Sequence, residues 1–370
     1  MQPWEKLAQR QRFMVQYDEI IREVYEMRGF STSPCRLGID LGSSAIRIYG
    51  DDKMLLSEDS CAVVSDGERR VLGYGTEALV HYHSMPEKSH LVYPIVKGMM
   101  TDYRLTCDML RFFIEKSLHG SVSRPEVMIA IRSDMSVVTR HALVDALVHA
   151  GCQRVFLISS SAAAAMGAGM AIHLPDAVLS MVVGKDVTDC GLFCGGGFVH
   201  QEGIHFGGAT IDLNVCSYIR NVHGVVIGKN QAEIVKKELS DLGRSEETDA
   251  VHVCGRRLAD GVEVAVALSR SEIYSALQKI LRPSAQLLRK VLQRATPEMA
   301  EDLLQNGILL SGGSARLPGF SDWIHRAIRL PVTVPDRPDE VVARGCYLAL
   351  VDYKGLPLLV ESGSKYYKGA

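Results

Sequence analysis

The sequence predicts an α/β protein in which two similar lobes enclose a cleft. The chain has 370 residues, which is long enough for a separate core in each lobe. Buried strands and helices alternate over residues 127–131, 139–150, 155–158 and 162–170. A strand–turn–strand at residues 36–49 is echoed by an apolar strand at 177–183 that leads through polar turns to Phe193. Since strands and then helices follow both times, we interpret the two blocks as a weak internal duplication.

The composition is typical of a folded protein that does not bind nucleic acid. Hydrophobic residues make up 47% of the chain and charged residues 23%, and the formal net charge is -2. Such a charge gives no long-range attraction for nucleic acid. The nine cysteines include no CxxC pair, which argues against a metal-ligand array or a disulfide framework. With neither a signal peptide nor an apolar run of membrane-spanning length, we expect a cytoplasmic protein.

Residues 1–34 are expected to form an N-terminal helix and its linker. The apolar positions between residues 13 and 27 fall on one face, which predicts an amphipathic helix. Its polar face is acidic, whereas helices that lie on membranes present lysine and arginine to anionic headgroups. We therefore expect residues 13–27 to pack on protein, so that only residues 1–12 can touch lipid.

The rest of the chain divides into parts whose bounds we estimate from the pattern. The expected parts are a first lobe at 35–158 with an outer subdomain at about 51–95, a second lobe at 159–330 with an outer subdomain at about 221–270, a return segment at 331–352 and a tail at 353–370. The tail can pack on the body or engage a partner. Residues 221–240 and 271–294 are expected to be helical, and Thr106 to cap a helix. The polar segment 81–90 is expected to be a solvated loop rather than a metal site, despite its histidines.

Two glycine-bearing turns follow strands near opposite ends of the chain. In the first, Asp40 precedes Gly42, Ser43 and Ser44. Free N–H groups in such a turn form an anion site, and the aspartate can hold a hydrated Mg²⁺. The second is Gly312-Gly313-Ser314, where bare backbone lets an adenosine lie flat. Each pattern is also typical of an ordinary tight turn, so both interpretations remain open for each turn alone.

The order of these blocks resembles that of MreB, the bacterial actin, over residues 35–352. The blocks that carry the resemblance are Ile39-Asp40-Leu41-Gly42, Arg140-His141-Ala142, Val155-Phe156-Leu157-Ile158, the alanine-rich run from Ala163 to Gly169, Gly207-Gly208, Tyr218-Ile219-Arg220, Ala232-Glu233-Ile234-Val235-Lys236, Gly312-Gly313-Ser314-Ala315 and Ala343-Arg344-Gly345. The resemblance implies an actin-like fold: duplicated ribonuclease-H-like lobes around a nucleotide cleft, each with a smaller outer subdomain.

The same resemblance implies a site for ATP or ADP with Mg²⁺. Matching the family's motifs residue by residue assigns nucleotide contacts to Asp40, Gly42, Ser43, Ser44, Gly207, Gly208, Glu233, Lys236, Gly312, Gly313, Ser314 and Ala315. In the family, the Glu and Lys of the helix that corresponds to residues 232–236 face the adenosine. Asp40 would hold the Mg²⁺ through water.

The chain departs from the family where the family hydrolyses ATP. Ser159-Ser160-Ser161 stands where the family has Glu-Glu-Pro, so Ser160 replaces the glutamate that polarises water and no catalytic residue is assigned. The family's second phosphate loop, Asp-Ile-Gly-Gly-Gly-Thr-Thr, is replaced by a shorter segment, Val183 to Asp189. Here Lys185 can supply compensating charge, or Asp186 can repel phosphate. Ala45, Ile46 and Ala209 also differ. We therefore expect nucleotide binding with little or no hydrolysis.

By resemblance, the function is that of a cytoskeletal or scaffolding protein of cell shape at the inner membrane face. The implied partners are further copies of the chain in a head-to-tail filament or a true MreB, membrane proteins of cell-wall elongation and the inner membrane surface, with no nucleic acid. One alternative is a non-polymerising regulator of a true MreB. Another is an ATPase or kinase-like enzyme of the same superfold, which would need the acidic base and the phosphate loop that this chain lacks.

Overall fold

The computed structural model describes residues 35–67, 70–119, 124–239 and 250–366. The predicted helix at residues 13–27 and its linker to residue 34 lie outside the described residues. The strands are β1 (Arg36–Leu41), β2 (Ala45–Gly50), β3 (Lys53–Asp59), β4 (Ala62–Ser65), β5 (Val71–Tyr74), β6 (Ser89–Val92), β7 (Ile95–Val96), β8 (Met99–Met100), β9 (Glu126–Ile131), β10 (Arg154–Ser159), β11 (Val178–Val183), β12 (Thr188–Cys194), β13 (Gly197–Ile204), β14 (Val225–Val226), β15 (Ala250–Arg257), β16 (Glu263–Ser269), β17 (Ile308–Ser311), β18 (Val332–Thr333) and β19 (Val360–Ser362).

The helices alternate with these strands along most of the chain. They are α1 (Gly75–Ser84), α2 (Tyr103–Ser117), α3 (Val137–His149), α4 (Ser160–Gly167), α5 (Gly208–His223), α6 (Lys229–Leu239), α7 (Arg270–Ile280), α8 (Arg282–Leu292), α9 (Pro297–Asn306), α10 (Phe320–Ile328) and α11 (Val341–Val351). In this part of the chain, no helix combines the length and the apolar content needed to cross a bilayer.

Two large sheets repeat one topology, which confirms the predicted duplication. The first has the order β3-β2-β1-β9-β10, with β19 added at its end, and the second has the order β13-β12-β11-β17-β18. In each, an antiparallel three-strand meander comes first. Two strands then add in parallel, β9 and β10 in the first sheet and β17 and β18 in the second. Parallel additions need helical crossovers, which explains the alternation visible in the sequence.

Smaller sheets accompany each large one. Strands β4, β5 and β6 form one of them, and β14, β15 and β16 form another. Helix α1 packs against the first and α6 against the second. A separate two-stranded hairpin, β7-β8, lies between β6 and α2 in the sequence. Both lobes therefore carry a smaller β-structure in addition to the large sheet.

One hydrophobic core joins the two large sheets. It contains the alanines of α4 and the apolar face of α11, with Phe156 of the first sheet and Phe193 of the second. The tail takes part in this core, because Leu356 and Leu359 are buried and β19 pairs antiparallel with β10. Of the two alternatives for the tail, packing on the body is therefore correct for the described residues.

Three local predictions were wrong. Residues 81–90 are not a loop, since α1 continues to Ser84 and β6 begins at Ser89. Thr106 does not cap α2. The cap is Asp102, whose side chain accepts from the N–H of Leu105, while the Thr106 hydroxyl donates to the Asp102 carbonyl. A competing acid four residues upstream thus took the capping role.

The third error concerns residues 221–240, which were expected to be helical; of those that the structure describes, only 221–223 and 229–239 are helical. Gly224 adopts the left-handed conformation, with φ of +64°, and ends α5 at His223. The short strand β14 follows, and α6 begins only at Lys229. In the 271–294 segment, a break at Leu281 separates α7 from α8, and Pro283 occupies the first turn of α8.

Candidate functional site

The two phosphate-loop segments form hairpin turns of the same length. In the turn between β1 and β2, the Gly42 N–H donates to the Ala45 carbonyl over 3.0 Å. In the turn between β11 and β12, the Gly184 N–H donates to the Val187 carbonyl over 2.9 Å. The shortening of the second loop therefore produces a copy of the first, with one glycine at the same position in each.

The β7-β8 hairpin bridges these two turns. Its turn residues, Lys97 and Gly98, have φ of +52° and +69°. The Gly98 N–H donates to Ser43 Oγ over 3.2 Å, and the Lys97 N–H donates to Asp186 Oδ2 over 2.9 Å. Arg132 holds the other side of the turn by donating to the Lys97 carbonyl. Backbone of the chain itself thus joins the two loops where the resemblance places the phosphates.

Sequence reasoning missed this bridge, although a signal for it exists. Lys97-Gly98 stands between two apolar pairs, Ile95-Val96 and Met99-Met100. A dipeptide that ends in glycine between two such pairs is typical of a two-residue hairpin turn. The segment lies just beyond the predicted outer subdomain, and its four strand residues are too few to register as strands by periodicity.

Second-lobe residues of the predicted site converge on the carbonyl of Gly184. This oxygen accepts from the Gly208 N–H over 3.0 Å and from Ser314 Oγ over 2.8 Å. The neighbouring Lys185 carbonyl accepts from the Ala209 N–H over 2.7 Å. A Cβ on Gly207 would lie 2.5 Å from the Lys185 carbonyl oxygen, so only glycine allows this approach. The start of α5 and the 313–316 turn therefore pack directly on the second loop.

Lys236 belongs to the same group. Its Nζ lies 3.4 Å from the Gly208 carbonyl oxygen and 2.7 Å from Asp212 Oδ1. A Cβ built on Gly208 would lie 3.0 Å from Ser314 Oγ, 3.5 Å from Lys236 Nζ and 3.9 Å from the Gly184 carbonyl oxygen. Gly208, Ser314 and Lys236 thus lie close together beside the second loop.

The Gly312-Gly313 pair presents bare backbone. Gly312 has φ of +87°, and a Cβ there would lie 2.4 Å from the Val183 carbonyl oxygen. A Cβ on Gly313 would meet nothing within 4 Å, whereas Ala315 is buried. Gly313 therefore borders open space, which is the arrangement a flat ring needs in order to lie against backbone.

Two residues of the predicted site, Glu233 and Ser44, lie outside this group of contacts. Glu233 pairs with Lys237 one turn along α6, at 2.9 Å, and its side chain is half exposed. The hydrogen bond from Lys237 lowers the pKa of Glu233. Ser44 is exposed at the tip of the first hairpin. Neither side chain contacts Gly208, Ser314 or Lys236 in the hydrogen bonds and ion pairs of the structure.

Asp40 lies in a network of charges that crosses from one lobe to the other. Arg47, opposite Asp40 on β2, pairs with Asp339 at 2.9 Å, and Asp339 also accepts from Arg316 of the second lobe. Burial raises the pKa of Asp40 to about 6, against the attraction of Arg47 and with the repulsion of Asp339. Asp40 therefore remains mostly ionised at neutral pH, as an Mg²⁺ ligand must be.

The segment with three serines forms the start of α4. Ser159 caps the helix, and Ser160 Oγ lies 3.2 Å from Asp189 Oδ2. The Asp189 carboxylate also accepts from the Ser133 N–H over 3.0 Å and from the Ser161 N–H over 3.3 Å. Burial raises the pKa of Asp189, and these hydrogen bonds oppose the rise. Asp189 is therefore fully engaged in holding β9, β12 and α4 together, which disfavours it as a replacement base.

Lys185 and Asp186 face different groups. Lys185 is exposed and places Nζ 5.1 Å from the ring centroid of Tyr93, just after β6. Its charge also acts on Asp59 and Glu233. Among the described residues, no lysine or arginine forms an ion pair with Asp186. Hence the Asp186 carboxylate, at the phosphate end, accepts a hydrogen bond from the Lys97 N–H and has no ion-pair partner within 4 Å among the described residues.

Comparisons with known proteins show the family and the fold of the chain. The model of the MreB/Mbl protein family matches residues 34–356. The cell shape-determining protein Mbl of Bacillus subtilis (strain 168) is 27% identical over 323 residues, which are 87% of this chain and 97% of that protein. The structure of MreB5 of Spiroplasma citri bound to AMPPNP has a TM-score of 0.80 at 23% identity and covers 88% of this chain and 98% of its own. The MamK double helical filament has a TM-score of 0.72 at 18% identity, with 86% and 99% covered. The fold is therefore actin-like, as predicted.

Proposed function

Because this chain belongs to the MreB/Mbl family, we propose that it is a cell-shape protein that binds adenine nucleotide in the cleft without hydrolysing it efficiently. The observation that carries the proposal is the open backbone of Gly313, next to the polar group formed by Gly208, Ser314 and Lys236. Bare backbone beside polar side chains suits the flat, apolar body and polar edge of a nucleoside. The structural relative MreB5 binds AMPPNP.

Asp40 is the residue proposed to hold Mg²⁺ through water. Among the described residues, no three histidine, cysteine, aspartate or glutamate side chains cluster as a metal site. Magnesium commonly keeps most of its waters and takes one or two carboxylates plus phosphate oxygens, so a single ionised aspartate is compatible with it. When bound, the ion would offset phosphate charge, and Asp40 would position its water shell.

The proposal of inefficient hydrolysis rests on Ser160 and Asp189. A serine hydroxyl is not a base at neutral pH, and Asp189 already accepts hydrogen bonds from two backbone N–H groups. Losing a general base forfeits about 10²–10⁴ in rate, and the missing glycines of the second loop add to that loss.

We further propose that the chain assembles head to tail into filaments at the inner face of the membrane, where it organises membrane proteins of cell-wall elongation. MamK, which shares the fold, forms a double helical filament. A head-to-tail contact is heterologous and grows without closing. Residues 13–27, which lie outside the described residues, are proposed to dock on protein during assembly.

The test of nucleotide binding is a thermal-unfolding titration with adenosine and ADP, because a ligand that binds only the folded state raises the melting temperature. At Gly208 the atoms nearest to an added Cβ are Ser314 Oγ and Lys236 Nζ, and the backbone Gly184 oxygen lies 3.9 Å away, so Gly208→Leu should fold after side-chain shifts but lose the shift in melting temperature. Gly228→Leu is the matched control, since a Cβ at Gly228 meets nothing within 4 Å. If neither adenosine nor ADP moves the melting curve of the unmodified protein, the proposal is wrong.

Assembly is tested by sedimentation and electron microscopy with and without nucleotide. Filaments formed by the chain alone would support the proposal that it is a filament subunit. A chain that stays monomeric but changes the filaments of a true MreB would instead be the non-polymerising regulator. Deletion of residues 1–34 should reduce assembly more than it reduces liposome binding.

A further inference from the structure

We propose that the cleft selects nucleotides that lack a γ-phosphate, and that Asp186 is the residue responsible for this selectivity. The inference rests on the proposed nucleotide binding and concerns only which nucleotides are accepted. Adenosine, AMP and ADP are the class of ligand that fits, and ATP is the one excluded.

The hydrogen-bond donors at the phosphate end already have partners within the protein. The N–H groups of Lys97 and Gly98 are given to Asp186 and Ser43. In the two hairpin turns themselves, the N–H groups of Gly42 and Gly184 are given to the carbonyls of Ala45 and Val187. A terminal phosphate would have to break these bonds to obtain the same donors, and each broken bond leaves a carbonyl or carboxylate without its partner.

The charge of Asp186 also disfavours a third phosphate. The Asp186 carboxylate accepts the Lys97 N–H much as a phosphate oxygen would, so the protein carries its own anion where the third phosphate would lie. Among the described residues, Asp186 has no ion-pair partner, and the nearby cation Lys185 lies over the Tyr93 ring. A γ-phosphate would therefore add negative charge next to a carboxylate that has no ion-pair partner, and the two would repel each other.

The nucleoside end of the site has neither this negative charge nor these occupied backbone donors. Gly313 borders open space, and the atoms nearest to an added Cβ at Gly208 are the side-chain ends Ser314 Oγ and Lys236 Nζ. Asp40, which would position the Mg²⁺, lies on β1 in the charge network of Arg47 and Asp339. The site can therefore bind the nucleoside and the α- and β-phosphates, whereas binding of the γ-phosphate is unfavourable.

The experiment compares adenosine, AMP, ADP and AMPPNP by isothermal titration calorimetry in the presence of Mg²⁺. We expect ADP to bind at least about tenfold more tightly than AMPPNP, which corresponds to about 1.4 kcal/mol. Asp186→Asn retains an acceptor for the Lys97 N–H and removes the charge, so it should tighten AMPPNP about tenfold and leave adenosine unchanged. Asp260→Asn removes one charge from the exposed turn after β15 and is the matched control.

Each outcome bears on the inference separately from the proposed function. If AMPPNP binds as tightly as ADP, or if Asp260→Asn reproduces the gain of Asp186→Asn, selectivity by Asp186 is wrong while nucleotide binding stands. If adenosine and ADP both fail to bind, it is the proposed function that fails. Should Asp186→Asn fold poorly by circular dichroism, Asp186→Ser provides a second neutral acceptor with the same expected gain.

Discussion

Gly167 of α4 and Gly345 of α11 lie against each other where the two helices cross between the lobes. A Cβ on Gly345 would lie 1.7 Å from the Ala163 carbonyl oxygen, and one on Gly167 would lie 1.8 Å from the Val341 carbonyl oxygen. In both cases the obstacle is backbone. The two helices can therefore approach this closely only while both positions lack a side chain.

Gly345→Ala should destabilise the protein by several kcal/mol, in contrast to the gain of up to about 1 kcal/mol that glycine to alanine gives inside an ordinary helix. The added methyl must push α11 away from α4 and open the core that joins the lobes. Urea unfolding measures the change, with Gly228→Ala as the control because that position borders open space. Equal stabilities of the two variants would contradict the tight crossing.

Asp40 should make stability depend on pH. Its folded pKa of about 6 lies above its ordinary value of 3.8, so the folded state holds the proton more tightly. The stabilising contribution of the protonated form is complete below about 3.8 and is lost as pH rises through about 6, a loss of at most about 3 kcal/mol. Asp40→Asn, neutral at every pH, should therefore be more stable than the unmodified protein at pH 7.5 and similar at pH 4. A constant difference in unfolding free energy across this range would refute the shift.

Asp339→Asn should cost about 1–3 kcal/mol, because it leaves the partly buried Arg47 without its anionic partner. It should also lower the pKa of Asp40, since Asp339 contributes to raising it. Asp336→Asn, in the same loop but exposed, is the control and should change neither quantity. Denaturant unfolding at two pH values measures both effects; a pH dependence identical to that of the unmodified protein would show that Asp339 does not act on Asp40.

The sequence predicted the architecture well because hydrophobic periodicity is a local signal and the duplicated blocks repeat it. It also predicted that the second phosphate loop is short. It did not predict that Lys97 and Gly98 bridge the two loops. The hairpin turn itself has a sequence signal, but its two contacts span sequence separations of 55 and 89 positions and use backbone N–H groups, so no side-chain pattern shows which residues accept them. The capping error at Thr106 has a similar cause, since two capping residues four positions apart compete and only the geometry decides.

Ser160→Glu, which restores the family's residue, should not restore hydrolysis. Ser160 Oγ lies 3.2 Å from Asp189, so the new carboxylate would adjoin a buried carboxylate whose pKa is already raised. Two neighbouring carboxylates disfavour each other's ionisation, so the variant should melt several degrees lower than Ser160→Gln, which has the same size without the charge.

The double variant Ser160→Glu with Asp189→Asn separates the two defects. It removes the repulsion between carboxylates, so the melting temperature should recover in part, and it supplies an ionised glutamate at the start of α4. Phosphate release should nevertheless stay at the background rate, because the second loop offers one glycine, Gly184, whose N–H is given to the Val187 carbonyl. Steady turnover of ATP by this double variant would mean that the second loop is competent and that the missing base alone silences the site.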